Sequence, residues 1–275
     1  MSEDLEVVVL GCGSSGGVPR ADGAWGACDP ADPRNRRSRC SLMARRVGPG
    51  GPEHWTTLVV DAAPEFRLQT IAAGVQRLDA LLLTHDHADQ CHGIDDIRAF
   101  AIAQRRRVDC WMDETTRSTL LGRFGYIFQG EGIYPAIADA RLTPPHGAPW
   151  NVDGPSGPIP VVTFEQDHGT VKSLGYRFGP IAYSSDVIDL DEAAFAALAG
   201  VEVWIVDALR YTPHPTHAHL ARSLEWIARV RPRRAILTNM HIDLDYRELA
   251  GHLPKGVTPA VDGMRISIKL PGAHD

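Results

Sequence analysis

The segment Leu82-Leu83-Thr84-His85-Asp86-His87-Ala88-Asp89-Gln90-Cys91-His92-Gly93 constrains the fold of this chain more than any other. Apolar residues 80–83 read as a strand, and a helix-like pattern follows the motif. The chain must turn sharply between the two, which lets His85, His87 and Asp89 point into one space. Histidine, histidine and aspartate alternating at a strand end are poorly explained as a polar loop. Imidazole and carboxylate together suit Zn²⁺, and also Mn²⁺ or Fe²⁺. The chain carries 12 histidines against 5 cysteines, so metal ligands here should be imidazole and carboxylate.

The other apolar runs are short and mostly β-branched. Residues 7–10, 57–60, 161–164, 181–183, 203–206, 235–237 and 265–270 read as further strands. Helical patterns lie between them at 64–73, 95–105, 114–124, 191–198 and 218–230, with Pro64 suited to a first turn and Asp191 to an N-cap. Strands joined by turns, then strands alternating with helices, suggest a mixed sheet or two sheets covered by helices. Two stretches stand apart. Residues 11–39 are rich in Gly, Ser, Pro and Arg, and are long enough without periodicity to be functional or mobile. Residues 143–160 are proline-rich and read as a surface loop inside one domain.

Composition narrows the function classes. The chain of 275 residues is 44% hydrophobic and 23% charged, which is ordinary for a globular protein. Its net charge of −6 argues against a broadly basic nucleic-acid surface. Five scattered cysteines with no Cys-x-x-Cys fit reduced thiols in a cytoplasm better than a disulfide framework. The acidic start Met1-Ser2-Glu3-Asp4-Leu5-Glu6 does not read as a signal peptide, and no apolar run approaches the roughly 20 residues of a membrane span.

The His-x-His-x-Asp motif after a strand resembles the metallo-β-lactamase superfamily, and the resemblance runs through most of the chain. Val60-Asp61-Ala62-Ala63-Pro64-Glu65-Phe66-Arg67 is similar to the segment before the motif, and Gln166-Asp167-His168-Gly169 to the next ligand segment. Tyr183-Ser184-Ser185-Asp186 is similar to the segment of the metal-bridging aspartate, and Leu237-Thr238-Asn239-Met240-His241 to the last ligand segment. Gly11-Cys12-Gly13-Ser14-Ser15-Gly16-Gly17-Val18-Pro19 and Gly93-Ile94-Asp95-Asp96-Ile97-Arg98 point to the branch of the phosphoribosyl 1,2-cyclic phosphate phosphodiesterase, related to the tRNA 3′-processing endonucleases. The resemblance implies an α/β fold, a four-layer αβ/βα sandwich of two mixed sheets flanked by helices, filled by residues 1–275 as one domain. It implies a metal-dependent hydrolase using Zn²⁺ or Mn²⁺, with His85, His87 and His168 at a first site, Asp186 bridging and Asp89 anchoring a second. A bound cation lowers the pKa of water and makes hydroxide available at neutral pH, and a second cation about 3.5–4 Å away can clamp other phosphoryl oxygens.

The second site departs from the pattern. Gln90 and Asn239 stand where the family has histidines, and an amide oxygen is a weaker ligand for Zn²⁺ than imidazole. The position can be vacant, can hold a harder ion, or can recruit His241. If the strand continues through Asn239, that residue and His241 share a face. One cysteine, Cys28, stands where the branch has several for a structural zinc, so none is expected and Cys28 should be a buried or partly buried thiol.

Asp89 and His217 are the candidate catalytic groups. His217-Ala218-His219-Leu220 matches a His-x-x-Leu setting whose histidine serves the related phosphodiesterase as acid or phosphate contact, and His219 is a lesser candidate. Ser14 and Ser15 in the glycine turn can present backbone N–H groups to phosphate, and Arg39 in the basic run 34–39 can grip one. His92, Asp86 and Asp61 are expected to support the ligands. The leading function is hydrolysis of a small cyclic or nucleotide-like phosphodiester. The alternatives are a nuclease of RNA or DNA ends and a nucleotide-binding module without turnover. The expected partner is a small phosphate-containing substrate, with nucleic acid open, no membrane, and an unread oligomeric state.

Overall fold

The computed structural model describes residues 4–269. The first three residues of the acidic start, and Leu270 at the end of the last predicted strand, lie outside the described residues. Among the described residues, fourteen strands form two sheets of seven. The first contains β1 (Asp4–Gly11), β2 (Ser41–Val47), β3 (Thr56–Val60), β4 (Ala80–Leu82), β5 (Val108–Met112), β6 (Ala138–Leu142) and β14 (Met264–Lys269), in the order β14-β1-β2-β3-β4-β5-β6. The second contains β7 (Pro149–Val152), β8 (Ile159–His168), β9 (Val171–Phe178), β10 (Ile181–Ser184), β11 (Val203–Asp207), β12 (Arg234–Thr238) and β13 (Val257–Pro259), in the order β13-β12-β11-β10-β9-β8-β7.

Helices α1 (Phe66–Ala73), α2 (Ala88–Cys91), α3 (Arg98–Gln104) and α4 (Glu114–Gln129) connect strands of the first sheet, and α5 (Glu192–Leu198), α6 (Leu220–Val230) and α7 (Tyr246–His252) those of the second. Asp191 caps α5 by accepting from the Ala194 N–H at 2.8 Å, as its sequence position predicts.

The side-chain alternation of β1 builds the layers. Leu5, Val7 and Val9 enter the core between the sheets, together with Leu58, Leu82, Tyr176 and Trp204. Val8 and Leu10 point the other way, into a second core with Phe66, Ile97 and Leu120 beneath α1, α3 and α4. Trp226 and Leu249 bring α6 and α7 against the second sheet. The expected four-layer architecture of two mixed sheets flanked by helices is therefore present.

Several strands carry no apolar alternation that the sequence would reveal. β2 holds Arg45 and Arg46, both buried. Arg45 pairs with Glu6 at 3.2 Å and stacks on Trp55, and Arg46 donates to the Pro158 carbonyl at 2.8 Å. The stretch 143–160, expected to be loop throughout, contains β7. Pro149 is tolerated there because β7 is the edge of its sheet. Residues 11–39 are likewise pinned rather than loose, by bridges between Gly13 and both Arg39 and Met240, and between Val18 and Arg37. No helix among the described residues is long and apolar enough to cross a membrane.

Candidate metal centre

The parallel strands of both sheets run out at one edge, and the histidines and carboxylates of the motifs collect there. Ligands commonly bind beyond the carboxyl ends of such strands. β4 delivers Thr84 and His85, and the turn into α2 delivers His87 and Asp89. The end of β8 supplies His168, the turn after β10 supplies Asp186, β11 ends on Asp207, and Asn239 follows β12.

His85, His87 and His168 form a three-sided cup, with ring centroids 4.4, 4.9 and 5.2 Å apart. Their neighbours set which nitrogens face inward. His85 Nδ1 lies 3.0 Å from Thr84 Oγ1, and Thr84 Oγ1 in turn lies 3.0 Å from Asp61, which also accepts the Thr84 N–H at 2.8 Å. The relay from Nδ1–H through the hydroxyl to the carboxylate leaves a lone pair on His85 Nε2. That atom is buried and has no hydrogen-bond partner among the described residues. His168 Nδ1 donates to the Thr216 carbonyl at 2.7 Å, which turns its Nε2 toward His87 Nδ1, 3.4 Å away. Burial lowers the His85 pKa to about 3, so its ring is neutral, as a ligand must be. Three converging lone pairs, one of them buried and otherwise unsatisfied, fit a divalent cation of the zinc or manganese kind.

Carboxylates border the cup. Asp186 is buried, and His168, Asp186 and His217 can also converge on one ion. Burial, then the neighbouring Asp186, push the Asp89 carboxyl up to about 6. Gln90 Nε2 lies between these two carboxylates, 3.0 Å from Asp186 Oδ2 and 3.3 Å from Asp89 Oδ2. Asn239 Nδ2 approaches Asp186 Oδ1 at 3.4 Å and Asp207 Oδ2 at 3.3 Å.

His217 stands beside the cup, its ring 4.7 Å from that of His168. Its Nδ1 lies 3.0 Å from Asp207 Oδ2. Burial opposes charge on this ring, but the Asp207 carboxylate outweighs it and the pKa rises to about 9. Asp207 itself is pushed up by burial and held down by His217. Sequence reasoning passed over Asp207. The available signal was a carboxylate closing the apolar run Val203-Trp204-Ile205-Val206, as Asp61 closes the run 57–60.

Other candidate residues stand elsewhere. His241 does not enter the cup: its Nε2 meets the Arg20 guanidinium and its Nδ1 lies 3.0 Å from Asp243 Oδ2. β12 stops at Thr238 and Asn239 turns left-handed with φ 59°, so the two-residue strand period that would align His241 with it does not apply. His219 is the N-cap residue of α6, without a side-chain cap bond. Ser14 is buried and Ser15 exposed. The N–H groups of Cys12, Gly13, Ser14 and Gly17 already donate to Asp262, Ser38, Met240 and Ser14, so most of this turn braces the edge.

Arg39 donates to the Ser15 carbonyl and pairs with Glu65. The rest of the basic run is also engaged: Arg34 by Asp32 and the Tyr246 ring, Arg36 by the Trp25 ring, and Arg37 by the carbonyls of His241 and Leu244. Cys28 is buried, its thiol near the Ile242 and Leu244 carbonyls. His92 packs edge-on against Phe124. Asp86 is engaged by Arg123, through its carbonyl at 2.6 Å.

A family profile described as a beta-lactamase superfamily domain matches residues 56–242. Among solved structures, a diphosphatase from the PhnP family is 30% identical, with a TM-score of 0.84 over 98% of this chain and 99% of that one. The Zn²⁺-bound PqqB from Methylobacterium extorquens shares the fold at 16% identity, with a TM-score of 0.73 over 95% of this chain and 99% of that one. Human tRNase Z, short form, shares it at 14% identity, with a TM-score of 0.62 over 97% and 99%. An octanoyltransferase of Porphyromonas gingivalis (strain ATCC BAA-308 / W83) is 27% identical over 98% of this chain, and the chain spans about half of that protein's length, 52%.

Proposed function

This chain belongs to the metallo-β-lactamase superfamily and is a metal-dependent hydrolase, and from that premise we propose that it hydrolyses a small phosphate ester, cyclic or nucleotide-like, as a single hydrolase domain over residues 1–275. The observation that carries this reading is the converging three-histidine cup with a carboxylate-held imidazole at its rim. Zn²⁺ or Mn²⁺ bound in the cup supplies a Lewis acid for a phosphoryl oxygen and acidifies water.

His85, His87 and His168 hold the ion, the first two ring orientations following from Thr84 and the motif turn, the third from the Thr216 carbonyl. Asp186 faces the same space and adds negative charge to it. As water adds to phosphorus and the ester P–O bond breaks, the leaving oxygen needs a proton. His217 is placed to give it: with Nδ1 turned to Asp207, its Nε2 is the nitrogen for the substrate. Asp207 acts on His217 and not on substrate, as the orienting carboxylate does in a catalytic triad.

The 30% identical diphosphatase of the PhnP family supports phosphoryl chemistry. The basic run 34–39 favours a small substrate over a nucleic-acid strand, because its arginines are engaged within the protein. Acyl transfer through a cysteine gains no support: all five thiols are buried and burial raises each. Five unpaired thiols also agree with a reducing, cytoplasmic setting.

The test is turnover of an activated phosphodiester by purified protein reconstituted with Zn²⁺ or Mn²⁺. Turnover that disappears on chelation and in His87→Ala is the expected result. Tight nucleotide binding without turnover in either metal would sink the reading, and inhibition by short RNA stronger than by a small cyclic phosphate would favour a nuclease.

A further inference from the structure

The superfamily resemblance implies two cations, yet the space beside the three-histidine cup is already occupied by protein donors. We infer that this chain holds a single metal ion, in the cup, and that the amides of Gln90 and Asn239 close the adjoining position to a second. The inference rests on the metal-dependent reading above and concerns only how many ions the site accepts.

Three carboxylates, Asp89, Asp186 and Asp207, surround this position. A cation between them would relieve their repulsion. Here two amides and an imidazole do it instead. Gln90 Nε2 bridges Asp89 and Asp186 at 3.3 and 3.0 Å, and Asn239 Nδ2 bridges Asp186 and Asp207 at 3.4 and 3.3 Å. Asp207 is further matched by His217, at 3.0 Å, and by the Val187 N–H, at 3.1 Å. Gln90 and Asn239 are 0% and 1% exposed, so these bonds are made away from solvent. To admit an ion, both amides would have to withdraw their donors from buried carboxylates. The ion would satisfy the carboxylates, but the amide N–H groups would be left without those acceptors away from solvent.

Turning each amide over would point an oxygen at the position, and Gln90 Oε1 and Asn239 Oδ1 have no partners among the described residues where they now lie. Without a cation, that rotation sets oxygen against carboxylate oxygen at both bridges, with His217 Nδ1, 3.1 Å from Asn239 Nδ2, the one donor left to meet the Asn239 oxygen. With one, it offers ligands weaker than imidazole for Zn²⁺.

The group formed by His168, Asp186 and His217 does not add a second site. It shares His168 with the cup, and His168 has one nitrogen to give because the other is bonded to Thr216. Both groups therefore describe a single ion, with Asp186 at its side.

Replacing the two amides with histidine is a reasonable reversal. Asn239 has φ 59°, and histidine, like asparagine and aspartate, is enriched among residues that adopt the left-handed region. The experiment strips the purified protein of metal, reloads it with excess Zn²⁺ or Mn²⁺, removes free ion, and counts bound metal per chain by elemental analysis and native mass spectrometry. One ion per chain is expected for the wild type and two for Gln90→His/Asn239→His.

Two ions in the wild type would overturn the inference and leave the proposed function standing. No ion in the wild type would overturn both. A folded double variant that still holds one ion would show that these amides do not close the position. Should the double variant fail to fold, Gln90→Glu keeps the side-chain shape, turns a donor into a ligand, and is expected to bind a second ion. One ion in that variant would overturn the assignment.

Discussion

Asp207→Asn isolates the part that one buried carboxylate plays in proton transfer. The substitution keeps the side-chain volume at the end of β11 and removes the charge. In the native site the carboxylate meets His217 Nδ1 at 3.0 Å, the Val187 N–H at 3.1 Å and Asn239 Nδ2 at 3.3 Å. A hydrogen bond to a charged partner is worth about 1.5–3 kcal/mol. At 1.36 kcal/mol per tenfold in rate, its loss slows proton donation by His217 by roughly 10- to 150-fold. The assay compares kcat/KM for two phosphodiesters in the same metal and buffer. An alkoxide leaving group needs the proton and should lose the full factor. A nitrophenolate leaves without it and should change by less than about threefold. Bound metal should stay at the wild-type level, since Asp207 is outside the three-histidine cup. Equal losses for both substrates would refute the argument, because Asp207 would then act through the fold or the ion. No loss for either would remove the His217–Asp207 pair from the chemistry.

Other consequences are simpler to state. Metal at 100 times its dissociation constant should add about 2.7 kcal/mol of stability, a rise in Tm of about 5 °C for a chain of this size. Calorimetry with and without chelator should show that rise in the wild type and not in His168→Ala. Gly93→Ala would set a Cβ 2.0 Å from the Ala63 carbonyl oxygen and 2.7 Å from Phe66 Cβ, so thermal unfolding should report a loss of about 1–3 kcal/mol or more. Arg37→Ala leaves the buried carbonyl of Leu244 and the part-buried carbonyl of His241 short of a donor. Denaturant unfolding should show about 2–4 kcal/mol lost there, against less than about 1 kcal/mol for Arg36→Ala, which gives up a stacking contact on Trp25.

The cup was legible in the sequence because alternation at a strand end is itself a geometric statement. His85 and His87 sit where the apolar run of β4 stops, and no partner elsewhere is needed to see that they share a space. Much of the sheet was not legible. Strands β2 and β9 carry Arg45, Arg46, Lys172 and Arg177, and the buried arginines of β2 are met by Glu6 and the Pro158 carbonyl from far along the chain. Gly175 in β9 looks like a strand breaker, but a Cβ there would strike the Phe164 ring on β8 at 2.2 Å. The basic run misled for the same reason. Six residues rich in arginine look like an anion grip until Asp32, Glu65 and two carbonyls near His241 are brought beside them by the fold. His241 was misplaced by a local rule, the strand period, at the residue where the strand ends.

The two sheets also repeat one plan that no sequence repeat announces. Each has three antiparallel pairings followed by three parallel ones, and the change falls at β3 in the first sheet and at β10 in the second. An aspartate follows each of these strands in the left-handed region, Asp61 at φ 63° and Asp186 at φ 54°. Such a conformation costs a residue with a Cβ roughly 1–2 kcal/mol, and aspartate is among the few types that visit it. Asp61 directly follows β3 and Asp186 lies two residues past β10, so the two turns share a left-handed aspartate but not its position, and the tasks diverge. Asp61 is fully buried and spends its oxygens on Thr84, fixing the ring of His85. Asp186 faces the opposite sheet and meets the histidines and amides directly. The histidine cup lies where these two turns meet across the sandwich, Asp61 orienting His85 and Asp186 bordering the cup.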